Sequence, residues 1–157
     1  MKRLRMLAVV SAGYLVAVAV ATVVTLLFYL TPMTMLDNGQ FGSIYAWWKV
    51  FVPAAGIGTV HTFNLGLPGF IAAIVVGERF NWMGWGKYAL AGALNAISAH
   101  GLMALTMNRD PGELLPLVLA SVIGGFAGGA AYWFAAGRFV AARRCPPAVT
   151  SPAPSGS

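Results

Sequence analysis

With 157 residues, 59% of them hydrophobic and only 9% charged, this chain carries too little charge to coat a water-soluble domain of its size. The net charge of +6 is distributed as a membrane-orientation signal, which argues against nucleic acid as a partner, and the length suits one compact domain. A single cysteine, Cys145, excludes an internal disulfide and a cysteine metal cluster.

Lys2, Arg3 and Arg5 precede an uncharged run from Met6 to Pro32. About 20 residues at 1.5 Å each cross the hydrocarbon core of a bilayer, so a first spanning helix is predicted over about 6–31. Ala17-Val18-Ala19 mimics a signal-peptide cleavage site, but the apolar stretch continues through Leu26, Leu27, Phe28 and Leu30, so the segment reads as a retained helix. Asp37-Asn38-Gly39 then signals a turn. The next apolar stretch, Ile44 to Val76, is too long for one straight span and contains Lys49, Pro53 and Pro68. It predicts a break near Pro53, which would separate an interfacial segment at 44–53 from a second span at 55–77 kinked at Pro68.

Glu78, Arg79 and Lys87 mark a short loop before a third span at 88–107. In the stretch from Asn108 to Glu113, Asp110 is placed to cap a helix, Pro111 suits its first position, and Glu113 follows the cap by three. The fourth span, 114–137, ends at Arg138. The fold class is therefore an all-α polytopic membrane protein, a four-transmembrane-helix bundle over 1–144. Residues 145–157 read as a disordered cytoplasmic tail of Pro, Ser, Ala and Gly.

Placing the N-terminus inside puts Lys2, Arg3, Arg5, Arg79, Lys87, Arg138, Arg143 and Arg144 on the cytoplasmic side and only Lys49 and Arg109 outside. That bias, over short loops, predicts an N-in/C-in topology. Trp47 and Trp48 then mark the outer interface, and Trp82, Trp85 and Trp133 the inner one.

In the fourth span, Ser121, Gly125 and Gly129 are spaced by four, as are Ala120, Gly124 and Gly128. Small residues at that spacing let a neighbouring backbone approach closely. The neighbour is either the first or third span of this chain, or another copy or protein.

The intramembrane polar residues His61, Asn64, Asn95 and His100 are ligand or pore-lining candidates, because a polar side chain in lipid is costly. Counting from Gly77 and Lys87, His61 lies roughly 24 Å and His100 roughly 20 Å up their helices. Two histidines on different helices can clamp a b-type haem. Asn64 is level with His100, however, and a His100–Asn64 hydrogen bond between helices satisfies both without a cofactor, so none is assigned. No span carries an Asp, Glu or Arg at mid-depth, which argues against an ion-coupled carrier. No catalytic constellation, metal-ligand set or phosphate loop is present either, which argues against an enzyme.

The stretches Leu67-Pro68-Gly69-Phe70 to Gly77-Glu78-Arg79, and Gly128-Gly129-Ala130-Ala131-Tyr132-Trp133 to Ala136-Gly137-Arg138, resemble small bacterial inner-membrane proteins with four predicted helices. The resemblance implies a multi-pass inner-membrane location and no activity. The expected function is that of a non-enzymatic accessory, assembly or structural component, associating with itself or a larger membrane complex through small-residue faces. The alternatives are a small oligomeric channel or transporter lined by His61, Asn64, Asn95 and His100, and a haem-bearing electron-transfer subunit.

Overall fold

The computed structural model describes residues 2–36, 44–80, 82, 84–107 and 111–139, and all regular structure among them is helical. Four helices follow in order: α1 (Lys2–Leu36), α2 (Ile44–Arg79), α3 (Trp85–Met107) and α4 (Pro111–Tyr132), the last running into a π-helical turn at Trp133–Gly137. The stretches Leu4–Thr31, Trp47–Gly77 and Leu114–Gly137 are long and apolar enough to cross a membrane. α3 has 23 residues, and Asn95, Ser98 and His100 dilute its apolar character.

The expected break at Pro53 does not occur. α2 is a single helix of 36 residues with Pro53 and Pro68 both inside it, so no separate interfacial piece precedes it. Each proline lacks the N–H of one helical hydrogen bond, but the flanking turns carry the helix through. α4 begins at Pro111, the position that tolerates a missing N–H. The expected Asp37-Asn38-Gly39 turn, the Asp110 cap and the tail at 145–157 lie outside the described residues.

α4 is the spine of the bundle, antiparallel to α1 on one side and to α3 on the other. Gly124 lies against Ala21 and Thr25, and Gly128 against the Ala17 carbonyl. A methyl group at Gly125 would meet the carbonyl of Gly92, and one at Gly129 that of Tyr88. α2 packs across from α4, touching α1 where Gly58 meets Thr22 and α3 where Gly77 meets Tyr88. The α2–α3 connection is tight: Trp82 N–H donates to the Gly77 carbonyl at 2.9 Å, and the Trp82 ring meets Tyr88 edge-on.

The side chains are distributed as lipid solvation favours. Buried positions are mostly small (Ala89, Ala93, Ala120, Ala136), whereas Leu7, Phe28, Ile57, Leu90, Leu119 and Phe134 point outward. In water that outer surface would be a large apolar liability; in a membrane, close backbone approach through small residues is what holds helices together.

Candidate functional site

A cavity of about 400 Å³ lies in the middle of the bundle, lined by residues from all four helices. It exists because much of its wall lacks bulk: Ala17, Ala21, Gly66, Gly69, Gly92 and Ala96 face it, leaving space that longer side chains would fill.

One end is closed by aromatic rings, one from each helix. Tyr14 of α1 stacks on Phe70 of α2 with centroids 4.3 Å apart. Phe70 meets Tyr132 of α4 edge-on at 5.0 Å, and Tyr132 leans against Tyr88 of α3 at 5.6 Å. All four rings line the cavity and form its floor. The Tyr14 hydroxyl also donates to the Phe63 carbonyl at 2.7 Å, tying α1 to α2 close to Pro68. Sequence reasoning missed this layer, because one aromatic per apolar span is unremarkable in each helix alone. The available signal was a tyrosine inside three of the spans, since a buried tyrosine needs a partner for its hydroxyl.

The polar candidates behave differently from one another. Asn95 faces the cavity and reaches α2: its amide donates to the Gly66 carbonyl at 3.4 Å, and its side-chain oxygen sits against Gly69. His100 lines the half of the cavity remote from the aromatic floor, with Nδ1 2.9 Å from the Ala96 carbonyl and Nε2 3.3 Å from Ser121 Oγ on α4. A carbonyl only accepts, so Nδ1 carries a proton, and in the neutral ring Nε2 accepts from the Ser121 hydroxyl. His61 lines the cavity from α2 and is also exposed.

Asn64 corrects the sequence expectation. It is exposed, and its amide donates to its own helix at the Val60 carbonyl, 2.9 Å away, so it is neither on the cavity nor paired with His100. Equal depth was the wrong criterion without azimuth. At 3.6 residues per turn, Asn64 stands roughly 200° around α2 from Thr62, a cavity residue. A haem clamp would likewise require His100 Nε2 to leave Ser121.

Both small-residue series of α4 are occupied within the chain, Gly124 and Gly128 by α1, Gly125 and Gly129 by α3. Ser121 is buried beside His100. Thr22, also on the cavity wall, is buried with its hydroxyl unpartnered.

Because His100 bonds across to α4, His100→Leu should cost about 0.6 kcal/mol plus the penalty of an unsatisfied Ser121 hydroxyl. Adding Ser121→Ala should recover part of that loss, whereas Asn64→Leu should be near neutral. Unfolding titrations in mixed detergent read all three, and a large effect of Asn64→Leu would contradict this placement.

No protein-family model matches the sequence, and no curated protein or solved structure matches it.

Proposed function

We propose that this protein is a non-enzymatic, multi-pass inner-membrane protein that binds a small, mainly apolar molecule in the core of its helical bundle. The observation that supports this reading is the cavity: four helices converge on it, its wall is largely apolar, and a few neutral polar groups are set into it. That combination is the usual form of a small-molecule site, and bundles place such sites between facing helices. The small-residue faces of α4, which on sequence grounds favour assembly with a partner, are already covered by α1 and α3. A through-channel is disfavoured because four aromatic rings in mutual contact lie across one end of the cavity.

The proposed topology has four spans with both termini cytoplasmic. α3 is included because it lies alongside α4 from Tyr88–Gly129 through Gly92–Gly125 to His100–Ser121, and so shares its depth in the membrane. Reporter fusions after Asp37 and Asn108 are expected outside, and fusions after Trp82 and Val140 inside. A fusion at Trp82 that reports outside would refute the four-span arrangement.

Binding is tested by native mass spectrometry of the full chain released gently from detergent. One small apolar molecule should remain bound per chain, and it should be lost from Ala99→Phe and Thr62→Phe, which fill the cavity from α3 and α2. Wild-type protein that is folded, monodisperse and empty would refute the proposal.

A further inference from the structure

We infer that the cavity receives a single unbranched hydrocarbon chain of a membrane lipid, entering sideways between α2 and α3 with its end on the aromatic floor; this rests on the cavity-binding reading above. Shape is the first argument. The lining runs along α1 from Tyr14 to Leu26, about 18 Å of helix. A volume of about 400 Å³ open to the centres of water molecules, spread over about 18 Å, and a further 1.4 Å or so to the wall on each side, give a bore roughly 8 Å across, less than half its length. An elongated bore of that kind takes an extended hydrocarbon chain along its length, with carbon atoms in contact with the wall at about 3.5–4.0 Å.

The portal is the second argument. His61, Leu65 and Gly69 succeed one another at four-residue steps, so they form one ridge of α2. Gly69 of that ridge abuts Asn95, which places the ridge toward α3. His61 and Leu65 both line the cavity and are both exposed, so the cavity opens to the outside past them. The helix pair is held together further in, by Asn95 on Gly66 and by Tyr88 beside Gly77. Both open positions lie inside the apolar stretch Trp47–Gly77, so the opening faces lipid chains and not the aqueous phase.

Chemistry is the third. Among the described residues the lining contains no Asp, Glu, Lys or Arg. A charged group drawn into the cavity would find no counter-charge, while an uncharged hydroxyl or carbonyl meets His100 and Ser121 at the half remote from the floor. At the floor, ring surfaces suit a terminal methyl group, and the Tyr14 hydroxyl is engaged by the Phe63 carbonyl.

The test uses the full chain in detergent with 1-alkanols of increasing length, and 1-adamantanol as a compact ring alcohol, read by native mass spectrometry. A methylene zigzag advances about 1.25 Å per carbon, so occupancy should peak near 12–14 carbons. Ala91→Phe, one turn above Tyr88, places a ring of roughly 5 Å at the floor and should shorten the preferred chain by about four carbons. If that variant does not fold, Ala91→Leu should give a smaller shift in the same direction. A peak that moves in this way supports the inference. Alkanol binding without length dependence, or adamantanol binding in preference to the linear alcohols, overturns it and leaves the cavity-binding reading standing. Failure of every probe to bind overturns both.

Discussion

Gly125→Leu and Gly129→Leu are each expected to prevent α3 and α4 from docking, with a loss of about 3 kcal/mol or more in the unfolding free energy. The reason is backbone contact. Gly125 and Gly92 lie against each other's carbonyls, and Gly129 lies against the carbonyl of Tyr88. A flexible side chain can rotate away from an added carbon, whereas a carbonyl inside a helix moves only with its helix. Even Gly125→Ala should therefore be strongly destabilising. Gly56 and Gly101 supply the control, since nothing lies within 4 Å of a methyl group at either position. There, alanine should be neutral or stabilising by up to about 1 kcal/mol, through helix propensity. Unfolding in mixed detergent gives all five values, and equal effects of alanine at Gly125 and Gly56 would refute the assigned helix face.

The second large effect is expected at Tyr14. It is 7% exposed, stacks on Phe70, tilts against Phe63 and donates to the Phe63 carbonyl. In a membrane its removal forfeits packing and a hydrogen bond, not protection from water, since lipid is as apolar as the core. For Tyr14→Ala, roughly 100 Å³ vacated at about 24 cal/mol per Å³ gives about 2.4 kcal/mol. The lost hydrogen bond adds about 0.6 kcal/mol, for a total near 3 kcal/mol. Tyr14→Phe keeps the stack and should cost only the smaller share. The same pair separates function from stability: Tyr14→Ala removes one ring of the cavity floor and should relax selectivity among ligands, while Tyr14→Phe should not. Equal stability of the two variants would show that the aromatic layer does not hold α1 to α2.

The helices themselves were legible because the signals that make them are local. Long apolar runs, a proline at the start of α4 and charges between runs mark elements without reference to any neighbour. Proline 53 was misread for a related reason. Its local cost is one hydrogen bond, and the sequence does not show that neighbouring turns will carry the helix past it, as they do in α2. The glycine spacing in α4 announced close packing, but two partners were open, since the same groove serves an internal helix or another molecule.

What the sequence by itself determined is the all-helical character, the approximate extent of α1, α3 and α4, and which residues within the long apolar runs are polar. These follow from composition and chain geometry. Only the tertiary structure decided which face of each helix turns inward. An apolar helix in an apolar solvent carries little amphipathic pattern, so the azimuth of a residue is set by close-packing with its neighbours. That is why depth alone paired His100 with Asn64, while packing turned Asn64 outward and brought Ser121 to the histidine. The same packing gathered one aromatic ring from each helix into a floor and left small residues above it, so the cavity is a property of four helices together.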